Sequence, residues 1–485
     1  MKPSRFRDLS RRAMLCQTAL ASGLGGIFAM TASGQQGTPA RIPTGGPGAP
    51  PLPGAGRGTV HYGPINKFSS PSDLKITDIR ALRIAANFDY PVIKIFTNQD
   101  VYGLGEVRDA GNENLALGMK PLLVGKNPLN ISGILQTVRP YAGPGRQGGG
   151  FSAIDIALHD LTGKVFGVPV WRLLGDKKRD RVRMYCDTTG TPDPKKYGER
   201  MVERMKKGFT FFKMDIMPSM IRNRPGGLNT RGVATAKGLE MYGEHIQAVR
   251  DAIGWDQPLA ADHFGPLDVN DAIRHARFFE KYELAWAEDL LQVGALGTGD
   301  APRNWRAYKE IKESTVTPIN TGESLFGLEE GFRPLIENNA VDMIHIDPLT
   351  SGAIRESKRI SEFASMYAIQ TVVHFAGSPV GCMAAVHMIS TLKDFVAMEN
   401  HAVDIPWWND LVTGVPKPII QNGYIQVPDT PGIGVELDDE ACKAHLRVPG
   451  YFEPTPQFDR FILDEYRIGG PYPHLDENGQ LVNTR

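Results

Sequence analysis

The sequence predicts an α/β protein: an eight-stranded (β/α)8 barrel preceded by a small α+β unit. From about residue 181 onward, short apolar stretches alternate with amphipathic helical ones. The stretches 182–186, 209–215, 259–263, 284–288, 317–323, 342–347, 371–374 and 396–399 have the length of buried strands. Eight such strands with intervening helices close a barrel more economically than they extend an open sheet. Most of them end in a polar residue able to do chemistry, and these ends recur at the spacing of one βα repeat. Ahead of the barrel, 74–84 and 92–107 alternate as strands, with a turn at Asn98-Gln99-Asp100. Residues 152–166 carry an apolar helical face of Ile154, Ile156, Ala157, Leu158, Leu161 and Val165.

The 485 residues are 41% hydrophobic and 22% charged, enough to bury a large core and incompatible with wholesale disorder. Lys+Arg and Asp+Glu both number 54, so the basic excess of a nucleic-acid binder is absent and no nucleic-acid partner is expected. Cys16, Cys186, Cys382 and Cys442 lie far apart without CxxC spacing. That excludes a disulfide scaffold and argues against a thiolate zinc site. Residues 1–34 have the parts of an export signal: a basic opening, an apolar stretch over 13–32 and small residues at its end. Ser10-Arg11-Arg12 followed by Ala13-Met14-Leu15 resembles a twin-arginine signal, which places the mature protein in the periplasm. The stretch is Ala/Gly/Thr-rich and broken by Gln17, a poor membrane span, so no stable membrane insertion is expected once it is cleaved. Over 37–58, 13 of 22 residues are Gly or Pro, the composition of a linker. The expected organisation is signal 1–34, linker 35–71, α+β unit 72–180 and barrel 181–415, followed by a C-terminal segment 416–485.

Lys213 and Asp215 end the second barrel strand, and Asp262, Glu288, Glu323, Asp347, His374 and Glu399 end the next six. The last six are separated by 26, 35, 24, 27 and 25 residues. Singly, an acidic residue after a strand is a common helix cap and a lone His is commonly structural. Six consecutive ends of this kind converge on the C-terminal face, where barrel active sites lie. Buried carboxylates there repel one another unless protonated or neutralised, and a divalent cation is the economical answer. Asp262, Glu288 and Glu323 form an all-oxygen set suited to Mg²⁺, with Mn²⁺ as substitute and zinc disfavoured for want of His or Cys ligands.

Asp347 and His374 end neighbouring strands, where the carboxylate can orient the imidazole as a general base. Lys213 is a cation suited to a substrate carboxylate, and a protonated Glu399 can donate to a developing enolate oxygen. Together the parts suit removal of the weakly acidic proton α to a carboxylate.

Several motifs make this sequence resemble the enolase superfamily, in its mandelate racemase/muconate lactonizing enzyme-like branch, over residues 74–435. The most specific is Ala153-Ile154-Asp155-Ile156-Ala157-Leu158-His159-Asp160-Leu161, with Gly167-Val168-Pro169-Val170 and Leu173-Leu174-Gly175 after it. Gly103-Leu104-Gly105-Glu106 matches a capping-domain strand end, and Trp286-Ala287-Glu288-Asp289 and Thr321-Gly322-Glu323 match metal-ligand motifs. The resemblance implies a modified (β/α)8 barrel covered by an α+β capping domain, with 416–485 returning to that domain. It implies Asp262, Glu288 and Glu323 as Mg²⁺ ligands, Asp347–His374 as the dyad, Glu399 as the acid, and a homo-oligomer.

Departures from the family pattern narrow the chemistry. Where such enzymes often carry Lys-x-Lys, this chain has Lys213-Met214-Asp215, so Asp215 stands in place of a second base. Racemisation needs bases on both faces of the α-carbon; with His374 the clear one, elimination of a β-hydroxyl is favoured. Sugar-acid dehydratases of this branch often place a catalytic His two residues after the first metal ligand. Here His263 follows Asp262 directly, so on a regular strand it faces away unless a bend near Gly265 returns it as the general acid; protonated His374 is the other candidate to assist loss of the hydroxyl. Residues 217–238 enlarge the second repeat and read as a polar lid with Arg222 and Arg224. Asn400, His401, Trp407 and Trp408 can line the pocket or pack the barrel against the cap.

The expected activity is Mg²⁺-dependent dehydration of a sugar acid of aldonate, aldarate or uronate type to a 2-keto-3-deoxy acid. The rivals are an epimerase, racemase or cycloisomerase sharing the enediolate, and a noncatalytic carbohydrate-acid binding protein. A binder has no need of a base beside the metal. No P-loop and no strand-linked GxGxxG fingerprint is present.

Overall fold

The computed structural model describes residues 73–109, 111–265, 267–291 and 305–459, with the backbone of 474–475 and 481–482. The expected signal and linker lie outside the described residues. Among the described residues no helix is long and apolar enough to cross a membrane.

Strands β1 (Ile76–Ile84), β2 (Tyr90–Thr97) and β3 (Gly103–Glu106) form an antiparallel sheet in that order. The helix Gly149–Phe166 lies on it. The approach is close because β3 carries glycine where it meets the helix. A Cβ on Gly103 would fall 1.9 Å from the carbonyl oxygen of Ala157, and one on Gly105 2.0 Å from that of Ala153. Asp160, buried on this helix, accepts from the backbone N–H of Leu104 at 2.8 Å and of Ile433 at 2.9 Å, tying strand, helix and C-terminal segment together. Ile154, Ala157, Leu158, Leu161 and Val165 enter the capping unit's own core with Ile76, Ile79, Ile93 and Ile95. Ile156, on the other side, joins the larger barrel core. Each such side chain contributes about 1.5–3 kcal/mol of burial.

Eight parallel strands follow: β4 (Arg181–Thr188), β5 (Phe212–Asp215), β6 (Leu259–Asp262), β7 (Ala287–Glu288), β8 (Ile319–Thr321), β9 (Met343–Ile346), β10 (Gln370–Val373) and β11 (Met398–Asn400). Each pairs with the next, and β11 pairs back onto β4 through Met398–Met184, Glu399–Tyr185 and Asn400–Cys186. The sheet is therefore closed. Inside it Tyr185, Phe211, Ala260, Trp286, Val372 and Ala397 form one layer of buried side chains, a filled floor rather than a pore.

The C-terminal stretch serves both parts. The strand Tyr424–Gln426 runs antiparallel to the start of β4. Further on, His445 accepts from the N–H of Ala85 and the N–H of Arg447 donates to the carbonyl of Arg83, both on the capping side. Glu106 at the end of β3 latches the same side to the barrel. It accepts from Ser378 N (2.7 Å), Ser378 Oγ (2.6 Å) and Gly381 N (2.8 Å), at the N-terminus of the helix Pro379–Ser390.

Candidate active site

Residues in register on parallel strands point to the same side. Asp187 pairs with Lys213, Asp215 with Asp262, and Asp262 with Glu288. His345 pairs with Val372, and Glu399 with Tyr185, both members of the interior layer. Counting by twos from these positions brings Asp347, His374 and His401 to the same mouth. The floor contributes polar atoms of its own. Trp286 Nε1 donates to Glu288 Oε2 at 2.7 Å, and the Tyr185 hydroxyl lies 2.9 Å from His345 Nε2.

Lys213 stands at the centre. Its Nζ is 2.5 Å from Glu399 Oε1, 3.0 Å from Glu288 Oε1, 3.4 Å from Asp262 Oδ2 and 3.9 Å from Asp187 Oδ1. Burial raises the Glu288 carboxyl, but His345 and Lys213 outweigh it and hold the group at about 2. For Asp262, burial and the Glu288 charge win, pushing it well above the usual carboxylate range.

The Asp347–His374 dyad is formed: His374 Nδ1 lies 2.7 Å from Asp347 Oδ2, leaving Nε2 facing Glu323 Oε2 at 3.3 Å. Glu323 reaches the mouth through a bend. Asn320 points inward and donates to Glu288 Oε2 at 3.2 Å, so strict alternation would turn Glu323 outward. Gly322, at φ +134°, reverses that, and a Cβ there would meet Phe332 Cε1 at 2.8 Å. Two arginines outside the barrel then seize Glu323. Arg108, just after β3, places Nη2 3.1 Å from Glu323 Oε1 and Nη1 2.9 Å from Asp347 Oδ2. Arg146, in the turn Gly145–Gly148, places Nη2 2.7 Å from the same Glu323 oxygen. Burial raises the Glu323 carboxyl, but His374, Arg108 and Arg146 hold it well below its ordinary range.

Two expectations need correction. His263 does not enter the site. It follows inward-facing Asp262 on a regular strand, so it points outward and packs 5.3 Å from the Phe279 ring and 6.3 Å from that of His275. Burial drops its imidazole to about 3, unsuited to donating a proton. Gly265 does adopt a positive φ, as does Phe264, but both bends come after His263. Nor does Glu399 stand as a protonated donor. Burial raises it, yet Lys213, His401 and His374 hold it well below the ordinary carboxylate range.

Asp215 sits at the mouth as expected from its strand, and burial with the neighbouring Asp187 charge raises it well above its usual value. In the enlarged second repeat Arg224 is bound by Glu244 through both terminal nitrogens, at 2.7 and 3.0 Å, and Arg231 by Asp268 and Asp271. These arginines brace the surface. Trp407 stacks on His445 with centroids 3.9 Å apart, and Trp408 donates to the Gly377 carbonyl. The Trp pair therefore packs loops.

Sequence reasoning passed over Arg108, Arg146, Asp187 and His345, and left His401 between two roles. His401 Nδ1 lies 3.3 Å from Asp187 Oδ2 and Nε2 3.2 Å from Glu399 Oε1. A signal existed for Asp187, which prolongs a strand expected to stop at Cys186. His345 sits inside its strand rather than at its end, and the arginines belong to loops with no period.

The donor chemistry fits a divalent cation. Asp262, Glu288 and Glu323 come from three successive strands and offer only oxygen. Glu288, Glu323 and His345 already bring ligand atoms within 4.8 Å of one another, while Asp262 meets the group through Lys213. The raised Asp262 carboxyl is the mark of negative charge that a further cation would relieve.

A capping sheet over a closed barrel, with carboxylates and a His–Asp dyad at the strand ends, defines a protein of the enolase superfamily type. Residues 196–441 match the family described as enolase C-terminal domain-like. Residues 80–175 match the mandelate racemase/muconate lactonizing enzyme N-terminal domain. The chain belongs to this family. It is 33% identical over 386 residues to D-xylonate dehydratase of Haloferax volcanii, covering 77% of this chain and 89% of that one. A D-galactonate dehydratase family member of Salmonella virchow is 28% identical over 410 residues, covering 76% and 93%. Among solved structures, a mandelate racemase/muconate lactonizing enzyme-like protein from Rubrobacter xylanophilus superposes with a TM-score of 0.72 at 30% identity, covering 78% of this chain and 99% of that chain.

Proposed function

We propose that this chain dehydrates a sugar acid of aldonate, aldarate or uronate type in a Mg²⁺-dependent reaction. The observation that carries the reading is the His374–Asp347 pair at 2.7 Å, its free nitrogen turned toward the carboxylate cluster. The dehydratase names of the relatives support it. Asp262, Glu288 and Glu323 would hold the ion. Once bound, the ion supplies charge stabilisation to the substrate carboxylate as the α-proton leaves. His374 receives that proton at Nε2, because Asp347 engages Nδ1 and leaves Nε2 as the basic nitrogen. Lys213 steadies the substrate carboxylate and the enediolate that follows, and Glu399 holds Lys213 in line. Loss of the β-hydroxyl and tautomerisation give the 2-keto-3-deoxy acid.

A panel of aldonic, aldaric and uronic acids, followed by proton NMR in D₂O with Mg²⁺, tests this. One acid should lose its α-proton signal and yield a 2-keto-3-deoxy product, and both EDTA and His374→Asn should abolish this. Exchange without water loss would replace the dehydratase with an epimerase or cycloisomerase. Binding without exchange would make the chain a binding protein.

A further inference from the structure

Loss of hydroxide needs a proton donor, and with His263 outside the barrel the expected donors reduce to His374, which already serves as the base. The mouth contains a second carboxylate-oriented imidazole. His401 Nδ1 faces Asp187 Oδ2 at 3.3 Å, as His374 Nδ1 faces Asp347 Oδ2 at 2.7 Å. Both rings turn Nε2 toward one carboxylate. His401 Nε2 is 3.2 Å from Glu399 Oε1, and His374 Nε2 is 3.8 Å from Glu399 Oε2. The ring centroids lie 5.7 Å apart, a spacing that lets the two imidazoles serve adjacent carbons of one substrate.

We infer that His401, oriented by Asp187, is the general acid that protonates the departing β-hydroxyl, while His374 takes the α-proton. The inference rests on the dehydratase reading. Its environment suits the role. Burial depresses the His401 imidazole, but Asp187 and Glu399 outweigh this and lift it to about 10, so it carries its proton at neutral pH. The titratable groups around it are Asp187 from β4, Lys213 and Asp215 from β5, His374 beyond β10 and Glu399 from β11. From the β1–β2 connection come the Phe88 ring at 5.8 Å, and Asn87, which donates to the His401 carbonyl.

The step balances. The C2–H proton passes to His374 Nε2. The C3–O bond then breaks, its electron pair leaving with the oxygen, which takes the Nε2 proton of His401 and departs as water. The enol gains a proton at C3 and loses one from its hydroxyl, giving the keto acid. His374 returns its proton to solvent and His401 regains one.

The test uses full-length Mg²⁺-loaded protein and the acid that the wild type dehydrates, in D₂O. His401→Asn should cut dehydration by about 100-fold or more, the contribution of a positioned acid, while exchange at C2 persists. The 3-deoxy-3-fluoro analogue, whose fluoride leaves without full protonation, should still release fluoride. Asp187→Asn should shift the alkaline limb of the wild-type rate profile to lower pH, which a merely structural carboxylate would not do. Near-wild-type dehydration by His401→Asn would overturn the inference and leave the dehydratase reading intact, His374 then serving both steps. Joint loss of exchange, dehydration and fluoride release would also overturn it, making His401 structural. A wild type that dehydrates no acid would remove both.

Discussion

Arg108→Met is the perturbation with the most to say about how the site is held. Arg108 is 1% exposed, and its guanidinium meets Asp347, Glu323, Asp109 and Thr350 Oγ1 at 2.9, 3.1, 3.1 and 2.8 Å. Methionine keeps much of the volume and leaves the three carboxylates without their shared cation. Removing one partner of a buried ion pair costs about 3–5 kcal/mol. The figure does not triple here, because Arg146 still faces Glu323 at 2.7 Å and His374 still faces Asp347 at 2.7 Å. The expected loss is therefore about 3–5 kcal/mol in urea unfolding followed by circular dichroism. Arg108 also meets the same Asp347 oxygen that faces His374, so its loss frees the dyad and α-proton exchange should fall about 100-fold, as for a base displaced by an ångström. Arg108→Lys restores charge without the fork and should recover only part of each. If Arg108→Met unfolds within about 1 kcal/mol of the wild type, the guanidinium is not the hub of a buried network and the reasoning fails.

Three further outcomes follow from the same geometry. His263→Phe should leave kcat and KM near wild type, since the ring packs against Phe279 outside the barrel; a loss beyond about tenfold would return it to the site. Burial raises the Glu106 carboxyl from 4.5 to about 7. Its protonated form therefore favours the fold fully below pH 4.5, and that contribution is lost as pH rises through about 7. Glu106→Gln should flatten the change in Tm across that window, and parallel curves for variant and wild type would contradict this. Gly322→Ala, blocked by Phe332 Cε1 at 2.8 Å and by the positive φ, should turn Glu323 away and weaken divalent-ion binding by calorimetry. Undiminished affinity would remove Glu323 from the ligand set.

The barrel was legible because its strands are buried on both faces and read as short apolar runs between amphipathic helices. The inward residues of the site followed from the same regularity. Lys213, Asp262, Glu288 and Glu399 face inward in phase, and the register of β4 with β5, β5 with β6, β6 with β7 and β11 with β4 brings them together. His263 shows the same rule working against a family analogy: one residue of offset on a strand is a change of face. What was not legible lies where period gives no guidance. Arg108 and Arg146 come from loops, and their partner Glu323 reaches them through a single glycine bend. The charge state of Glu399 was equally out of reach, since it depends on Lys213 of β5, His374 beyond β10 and His401 just past its own strand.

The double hold of Arg108 and Arg146 on Glu323 has a thermodynamic corollary. One carboxylate is at once a candidate ion ligand and the anchor of two loops from outside the barrel, so the two equilibria are linked. Any ion that draws Glu323 inward alters how firmly the loops are seated, and by reciprocity any displacement of the loops alters ion affinity by the same factor. Amide hydrogen exchange along Gly145–Gly148 should therefore register the filling of a cluster that those amides do not touch, making the turn a reporter of occupancy at a distance.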